Sequence, residues 1–259
     1  MHKFCKKLKV LSWNIGKKII DENQWQNELA ETNSNVAEII NTLDPDICFF
    51  QEICSSNKLK YSQSEWLSSE TGLDHYVDFA LDKSHHVKQI DLDLGISILS
   101  KYPIIKTSKF EVFNPDISVY RENGEIWHSH NKGFLTIEIM FSKIALKVIN
   151  VHLLPLPKFK IKPNDSLIME VWQSIHLFLL HQNVKNIIIG GDFNIGNIEK
   201  YVKKFQKFKK INSIESTTID GRNVDYFFCS NDFEIGTVVV HNTPYFLDHK
   251  PIILTLNLK

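Results

Sequence analysis

The chain has 259 residues, 43% of them hydrophobic, which is enough to build one large domain, so a second domain is not required. Its 30 basic and 30 acidic residues balance, which excludes a polycation that coats nucleic acid nonspecifically and confines any attraction to phosphate to local patches. Four cysteines without a C-x-x-C pair favour buried reduced thiols over a zinc site or a disulfide framework.

The N-terminal segment carries lysines, but the apolar stretch at 10–14 is too short and too polar for the core of a signal peptide. No apolar run approaches the roughly 20 residues of a membrane span. We therefore expect a soluble cytoplasmic protein with a single domain over residues 1–259, and we leave open export by a route without a cleaved signal.

The first elements end in polar side chains. Residues 9–15 alternate as a strand that ends at Asn14. A helical pattern within 22–43 is stopped by Pro45, with Ser34 or Asn35 able to cap its last part. An apolar strand over 46–52 then ends at Gln51 and Glu52, where a carboxylate is either a solvated strand end or a ligand for a hard metal ion.

The middle of the chain is less regular. We predict a short helix over 61–70, a polar segment at 74–89 with His85 and His86 on the surface, and strands over 94–100 and 104–113. Residues 115–132 read as irregular. Tyr120 and Arg121 in this segment either face a substrate phosphate or are ordinary loop residues, and the second interpretation is the better supported.

A predicted hairpin over 134–140 and 144–151 places His152 at a strand end. The following loop at 153–165 is stiffened by prolines and interleaves Lys158, Lys160 and Lys162 with apolar residues. Such a loop either grips a polyanion or is a solvated connector, and the sequence favours neither.

The remaining elements repeat the pattern of polar strand ends. A helix over 166–182 precedes an aliphatic strand that ends at Gly190 and Gly191, where missing Cβ atoms would let a ligand approach the backbone. This strand delivers Asp192 and Asn194. We predict a lysine-rich, solvated helix over 197–210, a strand over 223–229 that Asp225 enters, and a closing strand over 252–258 preceded by Asp248 and His249.

About eight strands alternate with helices, and sheets covered by helices collect such strand ends along one edge. Carboxylate and amide oxygens suit Mg²⁺ or Mn²⁺, whereas zinc would favour more nitrogen or sulfur. A histidine supported by an aspartate can take a proton from water near neutral pH. The sequence has no G-x-S-x-G motif, which would have indicated a hydrolase with a covalent intermediate.

Seven motifs stand in one order from Val10 to Leu256, and together they resemble the endonuclease/exonuclease/phosphatase superfamily, the DNase I-like fold. They are Trp13-Asn14, Gln51-Glu52, Gly95 to Lys101, Asn150-Val151-His152, Gly191-Asp192-Phe193-Asn194, Asp225-Tyr226 and Asp248-His249-Lys250-Pro251. The resemblance implies an α/β four-layer sandwich, in which two packed mixed β-sheets are flanked by helices, and metal-dependent hydrolysis of phosphoesters.

The resemblance also implies roles for individual residues. Glu52 would hold Mg²⁺, with Mn²⁺ as a substitute, helped by Asn14 and with Asp248 joining or hydrogen-bonding this cluster. His249 would be the general base or would stabilise the phosphorane. Asp225 would orient His249. Asp192 and Asn194 would position the water and the phosphate. His152 would either bind a phosphoryl oxygen or protonate the leaving group.

Two departures from the family pattern affect phosphate contacts: Leu247 stands where a small hydroxyl residue is usual, and His130-Asn131-Lys132 replaces an arginine environment. We expect a nuclease that acts on DNA or RNA, and the sequence leaves open whether the loop from Lys158 to Lys162 contacts the strand. The alternatives are a phospholipid phosphodiesterase of the sphingomyelinase type, which would need an exposed apolar hairpin, and a catalytically silent binding module. No protein partner is implied.

Overall fold

The structure, a computed structural model, describes residues 7–17, 23–84, 90–121, 124–182, 184–242 and 247–259. The predicted surface pair His85 and His86 lies outside the described residues. The described part of the chain forms fifteen strands and three α-helices, which are β1 (Lys7–Asn14), α1 (Trp25–Leu43), β2 (Ile47–Ser56), β3 (Tyr61–Ser62), α2 (Gln63–Thr71), β4 (His75–Lys83), β5 (Asp93–Ser100), β6 (Ile104–Val112), β7 (Ser118–Tyr120), β8 (Ile126–His128), β9 (Lys132–Phe141), β10 (Ile144–His152), α3 (Met169–Leu180), β11 (Ile187–Asp192), β12 (Lys209–Ile211), β13 (Asp225–Cys229), β14 (Phe233–Val240) and β15 (Ile252–Leu258).

Two mixed sheets hold almost all of these strands. The first sheet has the order β14-β15-β1-β2-β5-β4, with β3 paired to β2, and the second has the order β12-β13-β11-β10-β9-β6. Each sheet contains one parallel pair, β1 with β2 and β10 with β11, among antiparallel neighbours. A separate two-stranded hairpin is formed by β7 and β8.

The alternation of side chains along the strands explains the layers. On β1, Leu8 and Val10 pack into the core between the two sheets, whereas Leu11 and Trp13 pack into a cluster with α1. On the other side of the molecule, α3 covers the second sheet and packs against β10 and β11. Helices thus flank two packed mixed sheets, which confirms the predicted α/β four-layer sandwich.

A polar bridge crosses the apolar core between the sheets. The side-chain amide of Asn150, on β10, donates to the backbone carbonyls of Phe50 and Ser97 in the first sheet, both at 2.8 Å. Its carbonyl oxygen accepts from Nε2 of Gln51 at 2.7 Å. Because buried polar groups need partners, these bonds fix the position of β10, and so of His152, relative to the first sheet.

Several predicted elements are wrong. The lysine-rich segment 197–210 is two short 3₁₀ helices (Ile198–Lys200 and Lys203–Lys207) and the start of β12, and not one α-helix. Helix α1 starts at Trp25, preceded by Gln24 without a side-chain cap, so Ser34 and Asn35 lie inside it.

Among the described residues, no helix is long and apolar enough to cross a membrane.

Candidate active site

Polar side chains from both sheets meet at one end of the sandwich. Five of them are buried and the sixth, that of Glu52, is partly buried; they belong to Asn14, Glu52, His152, Asp192, Asp225 and His249. The register explains the meeting, because His152 pairs with Asp192 and Asp192 pairs with Asp225 across adjacent strands, while Asn14 pairs with Gln51 in the first sheet.

Glu52 lies at a bulge and not at the end of its strand. The register of β2 against β5 shifts between Gln51 and Ile53, and Glu52 has a positive φ of 57°. A positive φ is uncommon for a residue with a side chain, and bulges redirect side chains beside active sites. Gly16 makes room for the redirected carboxylate, since a Cβ there would lie 2.1 Å from Oε2 of Glu52.

Asn14 joins the two sheets at the candidate site. Its Nδ2 lies 3.2 Å from Oε1 of Glu52 and 3.2 Å from Oδ2 of Asp192, and its Oδ1 accepts from the backbone N–H of Gly16. The amide therefore separates two carboxylates that would otherwise repel one another, and it holds both of them near the same point.

Asp225 and His249 form a buried pair. Oδ2 of Asp225 lies 2.9 Å from Nδ1 of His249, and the indole N–H of Trp13 donates to the His249 carbonyl at 3.0 Å. The far nitrogen, Nε2, lies 3.7 Å from Oδ2 of Asp192. Burial alone would lower the pKa of His249, but the carboxylates of Asp225 and Asp192 outweigh it and raise this pKa to about 10.

His152 has the opposite electrostatic environment. Its Nε2 lies 3.6 Å from Oδ2 of Asp192 and 3.8 Å from Oε1 of Glu52, while Nζ of Lys132 lies 3.1 Å and 3.3 Å from its two ring nitrogens. Burial, followed by the charge of Lys132, holds the pKa of His152 well below its usual range. At neutral pH the centre thus contains one neutral and one charged imidazole.

Asp192 and Asn194 are fixed by the turn that follows β11. The backbone N–H of Asn194 donates to Oδ1 of Asp192 at 2.9 Å, and Nδ2 of Asn194 donates to the carbonyl of Leu153 at 2.9 Å. Asn194 has a positive φ of 54°, which asparagine tolerates better than most residues. Burial raises the pKa of the Asp192 carboxyl to about 6.

The two glycines of β11 serve packing, which differs from the expectation that a ligand approaches them. A Cβ at Gly190 would lie 2.3 Å from the ring of Phe227, and one at Gly191 would lie 2.0 Å from the carbonyl of Val151. Both contacts are within the protein core. The glycines therefore allow neighbouring strands to approach β11, and the polar residues after them form the site.

Asp248 lies apart from the other predicted residues. It is exposed, and its backbone carbonyl accepts from the N–H of Ile219 at 3.0 Å. No described contact joins its carboxylate to Glu52 or Asn14, although its negative charge contributes to the raised pKa of His249. Asp248 thus lies outside the buried cluster and acts on His249 only through its charge.

Lys132 is a site residue that sequence reasoning missed. It is the first residue of β9, and its charge lies against His152 while burial lowers the pKa of its own ammonium group. The signal was in the predicted hairpin: extending its antiparallel register from the turn pairs Gly133 with His152, which places Lys132 beside this histidine.

The donor set can accommodate a metal ion. One ligand atom from each of Asp192, Asp225 and His249 lies within 4.8 Å of the others, and all three residues are buried. Oδ1 of Asp225 is buried without a hydrogen-bond partner among the described residues. The neighbouring carboxyl, that of Asp192, has a raised pKa. A cation bound nearby would stabilise both the unpaired oxygen of Asp225 and the charged form of Asp192.

Comparison with known structures supports the fold. An endonuclease/exonuclease/phosphatase from Beutenbergia cavernae DSM 12333 superposes with a TM-score of 0.70 at 16% identity, over 98% of this chain and 72% of that one. The human Nocturnin catalytic domain with bound sulfate gives 0.68 at 17%, over 98% and 94%. D. rerio TDP2 complexed with single strand DNA product gives 0.64 at 13%, over 97% and 99%.

No curated protein sequence matches this chain in a significant way. The sequence model of the Endonuclease/Exonuclease/phosphatase family, however, matches residues 11–249. That match begins before Asn14 and ends at His249, and so it contains every residue of the buried cluster described above. The chain therefore belongs to the Endonuclease/Exonuclease/phosphatase family.

Proposed function

We propose that this chain is a Mg²⁺-dependent phosphodiesterase that hydrolyses nucleic acid, DNA or RNA. The observation that carries the proposal is the convergence of an Asp225–His249 pair, a neutral His152 and the Glu52 carboxylate around Asp192. The similar Nocturnin structure contains a bound sulfate anion, and the similar TDP2 structure contains a single strand DNA product. Both ligands are of the kind that a phosphodiesterase centre would bind.

In the proposal, Glu52 would hold the metal ion with help from Asn14 and Asp192. Asp192 is shared with the buried group of Asp192, Asp225 and His249, whose other two members bond each other and are kept for a different role. Glu52, Asn14 and Asp192 offer the hard oxygen ligands that Mg²⁺ prefers, with Mn²⁺ as a substitute. When bound, the ion supplies charge neutralisation at the phosphoryl oxygens. We do not include Asp248 among these ligands because its side chain is exposed. Its only proposed effect is that its negative charge helps to raise the pKa of His249.

The chain's own residues supply the remaining chemistry. Asp225 fixes the orientation of His249 through Nδ1. Because the raised pKa keeps His249 charged at neutral pH, its Nε2–H stabilises negative charge on the phosphoryl group, which is the second of the two roles implied by the resemblance. We assign Asp192 and Asn194 to positioning the water and the phosphate. The assignment is supported by the bond between the two residues and by the 3.7 Å distance from Oδ2 of Asp192 to Nε2 of His249.

His152 acts in the proposal as a hydrogen-bond donor to a phosphoryl oxygen. Its lowered pKa keeps the imidazole neutral, and a neutral imidazole with one N–H is better suited to this role than to protonating a leaving group. Lys132 would add positive charge at the same oxygen, since its Nζ lies beside both ring nitrogens of His152.

The test is an activity panel with and without Mg²⁺, covering single- and double-stranded DNA, RNA with a poly(A) tail, sphingomyelin and a bis-aryl phosphate. His249→Ala should lower the rate by about 10² to 10³, the usual effect of losing one group that stabilises developing charge. The matched control is His181→Ala, because His181 is exposed at the end of α3. Hydrolysis by His249→Ala within tenfold of the parent rate would reject the role of His249.

The same panel separates the alternatives. Hydrolysis of sphingomyelin in preference to nucleic acid would point to a phospholipid phosphodiesterase. Absence of both hydrolysis and Mg²⁺ binding, measured by isothermal titration calorimetry, would point to a silent binding module and would reject the proposed function.

A further inference from the structure

A small hairpin next to the candidate active site carries aromatic side chains on both of its faces. Strands β7 and β8 pair Val119 with Trp127 and Tyr120 with Ile126. Because side chains alternate between the faces of a strand, Trp127 and Tyr120 lie on opposite faces of the hairpin. The half-buried face carries Trp127, whereas Tyr120 and Ile126 are 74% and 45% exposed.

The half-buried face is fastened to the loop that follows His152. The Trp127 ring stacks on Phe159, with ring centroids 5.8 Å apart and planes 27° apart. Phe159 ends the 3₁₀ helix Leu156–Phe159 and is itself buried. The hairpin is therefore held against the basic loop by an aromatic contact, and the two segments form one surface.

Two cations lie against the same indole ring. The guanidinium carbon of Arg121 is 3.9 Å from the centroid of the Trp127 ring, and Nζ of Lys158 is 5.3 Å from it. Cation–π contacts of this kind hold the charges in place while leaving their N–H groups able to bind an anion. The carboxylate of Glu125 lies 3.8 Å from Arg121, so one of the two charges is partly balanced.

We call the hairpin together with the two cations held on it the hairpin platform, and we define it as Tyr120, Arg121, Trp127 and Lys158. Arg121 and Lys158 lie over the Trp127 ring, and Tyr120, the residue before Arg121, is exposed on the other face of the hairpin. The hairpin platform borders the candidate active site, because Trp127 is five residues before Lys132 and Lys158 is six residues after His152. Even a fully extended chain of that length spans only about 20 Å. The charge of Lys158 also contributes to the lowered pKa of both Lys132 and His152.

The chemistry of the hairpin platform fits an unpaired nucleic acid strand. Held cations suit the phosphates of the backbone, and an exposed aromatic ring such as that of Tyr120 suits the face of a base. In a duplex the faces of the bases are covered by their neighbours, so only a single strand can use the ring in this way.

A lipid surface fits less well. The outer face of the hairpin offers only Tyr120 and Ile126 as large apolar side chains in its described part, and it also carries Ser118, which bonds Nδ1 of His128 at 2.8 Å. A segment that enters a bilayer needs a larger apolar face and no acidic residue such as Glu125 beside it.

We infer that the hairpin platform binds single-stranded nucleic acid and presents an unpaired strand to the centre around His152 and Asp192. This inference rests on the proposed function and narrows its substrate class from DNA or RNA in general to unpaired strands.

The test measures binding without hydrolysis. A fluorescein-labelled single strand of roughly 12 nucleotides, within the site size of such surfaces, is titrated with the full chain in EDTA and followed by fluorescence anisotropy. A self-complementary duplex and anionic phospholipid vesicles are titrated in parallel. The variants are Arg121→Gln combined with Lys158→Gln, and Tyr120→Ser, whose side chain is 74% exposed and so is not needed for folding.

The control variant combines Lys203→Gln with Lys207→Gln, which removes the same charge from exposed positions of a 3₁₀ helix outside the hairpin platform. We expect the control to bind the single strand as the parent does. Tyr120→Ser should bind it about fivefold to a hundredfold more weakly. The double platform variant should lower the slope of log K against log salt by about 1.4, since each phosphate contact on a single strand contributes about 0.7.

Equal binding of the single strand by the parent and both platform variants would overturn the inference, as would binding of vesicles in place of the strand. A preference for duplex over single strand would overturn it as well. These results are independent of catalysis: a parent protein that binds the strand through the hairpin platform but hydrolyses nothing in Mg²⁺ would contradict the proposed function alone.

Discussion

Gln51 and Asn150 connect the two sheets directly, with Nε2 of Gln51 donating to Oδ1 of Asn150 at 2.7 Å. Both side chains are fully buried between the sheets, among apolar residues and a few small polar ones such as Ser12 and Ser97. Asn150 lies two residues before His152 on the same strand, and side chains two apart share a face. The bridge therefore sets the depth at which His152 enters the candidate site.

Replacing Asn150 by alanine should destabilise the fold. It removes the donors to the carbonyls of Phe50 and Ser97, and each buried polar group left without a partner costs about 1–3 kcal/mol. We expect the free energy of unfolding in urea to fall by roughly 3 kcal/mol. Asn212→Ala, at an exposed position, should change it by less than about 0.5 kcal/mol. Equal effects of the two substitutions would contradict the structural role of Asn150.

Gly16→Ala should weaken metal binding. An added Cβ would lie 2.1 Å from Oε2 of Glu52, so the carboxylate must move from the position that the bulge gives it. We expect Mn²⁺ affinity, measured by calorimetry, to fall by about 10–100-fold, as when the support of a ligand is lost. Gly196→Ala is the control, because its Cβ would meet nothing closer than 3.5 Å. Unchanged affinity in Gly16→Ala would remove Glu52 from the proposed ligand set.

Asp225→Asn should lower the pKa of His249. The Asp225 carboxylate is the largest of the effects that raise this pKa to about 10, and an amide carries no charge. Titration of the histidine ring protons by NMR in EDTA should show one histidine titrating near pH 10 in the parent protein and none in the variant. A ring that still titrates near pH 10 in Asp225→Asn would show that the pair is not its cause.

The same pair predicts how stability depends on pH. The folded-state pKa of His249 lies above the unfolded value of about 6.5, so the charged pair stabilises the fold fully below about pH 6.5. This contribution is lost as the pH rises towards about 10. In metal-free protein, urea unfolding at pH 6 and pH 10 should show a larger loss of stability for the parent than for Asp225→Asn. A loss of the same size in both proteins would contradict the linkage.

Lys132→Met should lower kcat/KM for a phosphodiester by about 10²–10³, the usual cost of losing one group that stabilises developing charge. Lys132→Arg should restore part of the rate, because it keeps the positive charge beside His152. The control is Lys203→Met at an exposed position. If Lys132→Arg were as slow as Lys132→Met, a role for the charge would be excluded and a packing role favoured.

The sequence predicted the strand ends well because apolar runs that stop at a polar residue have a direct structural meaning. Asn14, Asp192 and Asp225 lie at the ends of β1, β11 and β13, where the pattern placed them. The prediction for Glu52 rests on an incomplete reason. Strand β2 continues beyond Glu52 to Ser56, and the side chain is directed by a bulge that no local sequence pattern indicates.

Two other features depended on packing that a local pattern does not contain. The sequence predicts a lysine-rich α-helix over 197–210, yet Val202, Phe205 and Phe208 are buried at a spacing of three, which is the period of a 3₁₀ helix. The β7–β8 hairpin lies in the segment 115–132, for which the sequence predicts irregular structure. The pattern does not indicate the hairpin because each strand is only three residues long and the hairpin is held by a contact between Trp127 and Phe159, which is distant in sequence.

The pairing of β1 with β15 has a consequence for the newly made chain. Lys7 pairs with Asn257 and Ser12 with Ile252, so the strand that delivers Asn14 gains one of its two neighbours only after the segment that follows His249 has been synthesised. On the ribosome, the emerging polypeptide thus lacks a complete first sheet until translation has passed that segment. A premature stop codon at any earlier point would yield a product without the proposed hydrolytic centre.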